Sequence, residues 1–95
     1  MAGKTIKRKY INILGKRYTV IYKHLRDNAG LCLAAKNQIY IDTNGSKQDQ
    51  EEALLHECIH AIISEFAIRI EDEEDLVNPL SIGLYAVLKT NKMKF

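Results

Sequence analysis

At 95 residues, with 46% hydrophobic and 27% charged side chains, the chain fits a single domain, 1–95, with room for one core and none for a linker. A formal net charge of +2 is too small to make nucleic acid the default partner. No apolar run reaches membrane-spanning length and MAGKTIKRKY lacks a secretory apolar stretch, so the chain reads as cytoplasmic, with no membrane partner.

The basic residues Lys4, Lys7, Arg8 and Lys9 make segment 1–9 a solvated leader or an edge strand. Tyr10–Leu14 and Arg17–Tyr22 alternate as two strands, with Gly15-Lys16 as a tight turn, Gly first. Asp27-Asn28-Ala29-Gly30 reads as a turn, and His24 before it as an exposed loop histidine. Leu31–Ala35 and Gln38–Asp42 form a second hairpin pattern joined by Lys36-Asn37. Cys32 and Cys58 make neither a metal-finger spacing nor a disulfide framework and read as reduced, buried thiols.

Ser46 is placed to cap a helix, with Asp49 three residues on in a variant of the capping box. That helix is predicted from Lys47 to about Ala67. Its apolar residues, from Leu54 to Phe66, cover more than half its circumference, so a sheet and a second helix should cover it. After the acidic run Glu71-Asp72-Glu73-Glu74-Asp75, Leu76, Leu80, Leu84 and Leu88 fall nearly along one line of a second helix, widened by Val77 and Val87. Lys89, Lys92 and Lys94 lie at its C-terminal end, where the helix dipole favours cations. The expected fold is therefore α+β, with a small antiparallel or mixed sheet of about four strands packed on two helices.

Inside the first helix stands His56-Glu57-Cys58-Ile59-His60. His56 and His60 are one turn apart and differ in direction by about 40°, so both imidazoles can reach one ion. Glu57 lies about 100° round from His56, beside that ion. Two imidazoles and a carboxylate cost several kcal/mol to bury in an apolar helix without partners, and no Lys or Arg on that face neutralises Glu57. A bound dication removes the conflict. HExxH is the spacing with which zinc hydrolases hold Zn²⁺ on two histidines and use the glutamate as general base. Cys58 points about 160–200° away from both rings and cannot share the ion. A catalytic zinc takes a third protein ligand, and no histidine follows His60, so the candidates are the carboxylates from Glu65 to Asp75. Glu65, about 7.5 Å beyond His60 on the same helix, is poorly placed.

HECIH followed by Glu74-Asp75-Leu76-Val77-Asn78 resembles the HExxH…ExxAN pattern of small gluzincin-type metallopeptidases, the phage and mobile-element group related to the ImmA/IrrE peptidases. The likeness spans residues 10–92, and HExxH is its one sharp motif; Val77 stands where the pattern has Ala. It implies a zincin-like fold, His56 and His60 as metal ligands, Glu57 as catalytic base and Glu74 as third ligand. The acidic run itself leaves Glu73 as the nearest rival, with Glu71, Asp72, Asp75 or no protein ligand behind. The resemblance also implies that the strand before the helix, Gln38-Ile39-Tyr40-Ile41-Asp42, is an exposed edge that holds substrate peptide. Asn78-Pro79 allows two geometries: a helix starting there with Glu74 in the preceding turn, or a helix starting near Glu73 and kinked at Pro79. Tyr85 shares Glu74's face but lies about 16 Å along the axis, and reads as packing.

The expected function is a monomeric zinc metalloendopeptidase acting on a peptide or protein, such as a phage or mobile-element regulator. Two other readings stand beside it. One is a catalytically silent zinc-binding interaction module; the other is a nucleic-acid-binding accessory domain using the basic N-terminal stretch.

Overall fold

The structure is a computed structural model and describes residues 6–93; Lys4 and Lys94 lie outside the described residues. It is α+β, with four strands in a mixed sheet and two helices. Strands β1 (Lys7–Ile13), β2 (Lys16–Lys23), β3 (Gly30–Leu33) and β4 (Gln38–Asp42) precede helices α1 (Lys47–Glu65) and α2 (Glu73–Thr90). The sheet order is β1-β2-β4-β3; β1 and β3 pair antiparallel with their neighbours, and β2 runs parallel to β4.

The first hairpin turns one residue earlier than expected. Ile13 pairs with Lys16, so Leu14 and Gly15 form the loop, both with positive φ (51° and 81°). A two-residue loop with both residues left-handed is the type I′ turn whose twist suits a hairpin, which puts Gly second rather than first. Lys7, Arg8 and Lys9 belong to β1, an edge strand, where charged side chains discourage pairing with another sheet. Between β3 and β4 a 3-10 turn, Ala34–Lys36, ends on Asn37 in the left-handed region, a conformation that asparagine tolerates.

The main core is built by alternation. Tyr18, Val20, Ile39 and Ile41 are fully buried under α1, which contributes Ala53 and Ala61. Small residues on that face of α1 let the helix lie close to the sheet. The Tyr18 hydroxyl donates to Glu65 Oε2 at 2.7 Å, and Lys16 Nζ reaches Glu65 Oε1 at 2.9 Å, which ties the end of α1 to β2. Cys32 and Cys58 are free, half-buried thiols packed against this core.

Helix α1 starts as expected. Ser46 Oγ accepts from the Asp49 N–H at 3.1 Å and Asp49 Oδ2 accepts from the Ser46 N–H at 3.0 Å, a reciprocal capping box. It ends in a Schellman motif with Ala67 in the left-handed position, the Ile68 N–H bonding to Ile63 O and the Ala67 N–H to Ser64 O. Helix α2 packs on α1 through Val77, which joins Ile59 and Ile63 in a second small core. Of the two geometries open at Pro79, the helix adopts the second, starting at Glu73 and running through the proline. Contrary to the expected coverage, Leu76, Leu80, Leu84 and Val87 are exposed, as are Ile62 and Phe66 of α1. Only Val77 and Ser81 of α2 are buried, because α2 touches α1 along a narrow strip. Among the described residues no helix is long and apolar enough to cross a membrane.

Candidate metal centre

One turn of α1 and the first turn of α2 meet at the site. Val77 seats α2 against Ile59 and Ile63, which brings Glu74, near the start of α2, over His56 and His60. His56 Nε2 lies 3.2 Å from His60 Nε2, and Glu74 Oε1 lies 3.0 Å from the first and 2.7 Å from the second. These three potential donors are the group of the described residues whose ligand atoms converge closely enough to hold an ion.

Each imidazole is oriented from behind. His56 Nδ1 is 3.3 Å from Ser81 Oγ, whose hydroxyl donates to the Asn78 carbonyl at 3.1 Å. With its proton spent on Asn78, the Ser81 oxygen accepts from Nδ1–H, so His56 turns a bare Nε2 to the centre. His60 Nδ1 makes a short hydrogen bond to Glu73 Oε2, and the carboxylate selects the same tautomer. A carboxylate or hydroxyl behind a histidine is the usual way a metal-ligating ring is held.

The spacing fits a small dication. A tetrahedral zinc with bonds of about 2.0–2.1 Å separates its ligand atoms by roughly 3.3 Å; the two histidine nitrogens already stand 3.2 Å apart, and Glu74 Oε1 sits closer, at hydrogen-bond distance from both. Two imidazole lone pairs and a carboxylate oxygen packed this tightly repel one another unless a cation or a proton lies between them. Burial works to lower the pKa of His60, but its hydrogen bonds to Glu73 and Glu74 outweigh that and the net shift is upward. A proton and a metal thus compete for the same nitrogen, and metal uptake releases the proton. Among the described residues no Lys or Arg forms an ion pair with Glu57, Glu73 or Glu74, which leaves the cluster short of positive charge.

Glu57 is buried beside the histidines. Burial pushes its carboxyl up to about 7; His60 opposes the rise and Glu74 adds to it. A carboxyl poised there can take and return a proton near neutrality. The centre opens on a cleft lined by Gly30, Leu31 and Cys32 of β3 together with Glu57, His60 and Glu74.

Gly30 was not legible as part of the site. A Cβ added to it would stand 3.0 Å from Glu57 Cγ, 3.1 Å from Glu57 Oε2 and 3.1 Å from the Tyr40 carbonyl. The backbone oxygen cannot yield, so the glutamate must. Gly30→Ala is expected to keep the fold and to displace the Glu57 carboxylate by a few tenths of an ångström, as read in a crystal structure of the variant. A Glu57 carboxylate left in place in that variant would show that it has room to spare.

The other residues singled out in the sequence fall as follows. Glu65 bonds Tyr18 and Lys16, away from the centre. Tyr85 donates to Glu51 Oε1 at 2.5 Å, a packing contact between the helices. His24 lies in its loop 3.5 Å from Asp42, half-exposed. The strand Gln38–Asp42 requires a correction: β4 is paired on both sides, with β2 and β3, so its backbone has no free edge to offer a peptide. The edge strand beside the cleft is β3. Ser81, which no motif marked, follows Glu74 at a seven-residue spacing, two turns along the same face.

No protein-family model, no curated protein and no solved structure matches the chain.

Proposed function

We propose that this chain is a zinc-dependent metallopeptidase of zincin-like fold, related to the small gluzincin-type enzymes that its HECIH…Glu74 pattern resembles. The observation that supports this most is the convergence of His56 Nε2, His60 Nε2 and Glu74 Oε1, each imidazole braced from behind, beside a buried glutamate. His56, His60 and Glu74 hold the zinc; Glu73 and Ser81 orient the two rings. Zinc, when bound, supplies Lewis acidity toward a water and a peptide carbonyl. Glu57 takes the proton of the attacking water on its carboxylate and delivers it to the leaving amine as the C–N bond breaks. Burial raises the pKa of this carboxyl, which favours the acid form that must hand the proton to the leaving amine after the base step.

The peptide lies extended along β3, adding a strand to the free edge of the sheet, with its scissile bond over the cleft between Gly30 and Glu74. Main-chain hydrogen bonds of this kind recognise an unfolded or loop segment of a protein with little side-chain preference. The test is digestion of β-casein by the zinc-loaded protein. Cleavage is expected, lost on chelation and restored by added zinc; a zinc-loaded protein that leaves casein and other unfolded chains intact would favour the silent binding module.

A further inference from the structure

We propose that the side of the sheet opposite the helices binds single-stranded nucleic acid, independently of the metal centre. Both helices lie on one side: α1 packs on Tyr18, Val20, Ile39 and Ile41, and α2 packs on α1. Among the described residues no helix covers the other side. Alternation turns Arg8 and Tyr10 of β1, Arg17, Ile21 and Lys23 of β2, and Tyr40 of β4 toward it. Ile21, level with Arg8 and Tyr40, is only 6% exposed, so its neighbours close over it into a continuous surface. Each ring has a cation beside it. The Arg17 guanidinium is 3.9 Å from the centre of Tyr10, and Lys23 Nζ is 5.8 Å from that of Tyr40.

Charge and the rings together identify the partner. The net charge of +2 conceals a segregation: the first 26 residues hold eight of the fourteen Lys and Arg, and all twelve acidic residues come later. Such asymmetry marks a surface for a polyanion. Arg8, Arg17 and Lys23 make no ion pair among the described residues. Asp42 is the one strand carboxylate on this side; it lies at the margin of the sheet, where its Oδ1 accepts from the Leu25 N–H at 2.9 Å and the Asn44 N–H at 3.2 Å. Three unpaired cations call for an anion, and Tyr10, 56% exposed, adds an open aromatic ring for which an acidic peptide has no use. A nucleic acid uses both, its phosphates on the cations and its bases on the rings. Bases must be unpaired to stack there, so the strand is single.

The test is fluorescence anisotropy of labelled oligo(dT) and oligo(U), each about 20 nucleotides long, titrated with the full chain at about 50–200 mM salt. Binding is expected, falling with added salt at a log–log slope of about −2, as for three phosphate contacts on a single strand. Tyr10→Ser should weaken it by roughly 5–150-fold, the range for losing one stacked base, and Tyr10→Phe should keep it. Arg17→Glu with Lys23→Glu should abolish it while the helical circular dichroism persists, since both side chains are exposed. His60→Ala should bind as the wild type does, because the metal centre lies on the helix side. The tighter-bound of the two oligonucleotides identifies the strand as DNA or RNA. Failure of both to bind at about 50 mM salt overturns the proposal. So does a Tyr10→Ser protein that binds as tightly as the wild type, which would leave a surface for acidic protein, and so does a duplex that competes as well as the single strand.

Discussion

Glu57→Gln is expected to leave zinc bound at full stoichiometry and to slow casein cleavage by about 10²–10⁴-fold, the range of a positioned general base. The substitution keeps the volume and the hydrogen-bonding reach of the side chain in a place where Gly30 leaves little slack. It removes only the capacity to carry a proton. Because Glu57 is not among the three converging donors, metal should be retained. A Glu57→Gln protein that cleaves at the wild-type rate would mean that another group moves the proton, and would remove the reason for a buried carboxyl at this point. Loss of metal together with activity would instead make Glu57 a ligand.

The second large effect separates the two neighbouring glutamates. Glu74→Gln is expected to weaken zinc binding by more than about 100-fold, because it takes away one of three donors. Glu73→Gln should cost only about 10–100-fold, as for a residue that orients a ligand rather than binding the metal. The ranking follows from where their oxygens sit: Glu74 Oε1 lies between the two Nε2 atoms, whereas Glu73 Oε2 lies behind His60 on Nδ1. The reverse order, measured by competition with a zinc chelator, would exchange their roles.

These assignments were legible to different degrees. The two histidines and Glu57 could be placed from spacing alone, since three positions on one regular helix have fixed relative directions. The start of α1 was equally plain, because Ser46 and Asp49 form a local motif. Glu74 was harder: its position depends on where α2 begins and on how Val77 docks against Ile59 and Ile63, a contact between distant segments. Pro79 made the start of α2 ambiguous because proline suits a first turn better than an interior. The ends of both helices were hidden for another reason. Their left-handed closing positions are held by Ala67 and Lys92, not by the glycine that usually signals them.

The sheet order was the least accessible feature. Alternation marks which residues face inward, but it does not say which strand lies at an edge, and two hairpins in sequence suggest a simple meander. The parallel pairing of β2 with β4 moves β3 to the edge and β4 inside. That one rearrangement moves the proposed peptide-binding edge from Gln38–Asp42 to Gly30–Leu33. The exposure of Leu76, Leu80 and Leu84 has a similar origin. A helical stripe shows that a face is apolar, not whether the covering surface belongs to the same chain.

Zinc content of the purified protein is the most direct measure of the central claim. One zinc per chain is expected by elemental analysis after dialysis, falling to none in His60→Ala while the helical circular dichroism persists. A wild-type chain that keeps no zinc when dialysed against micromolar metal would contradict it, and so would a His60→Ala chain that holds as much as the wild type.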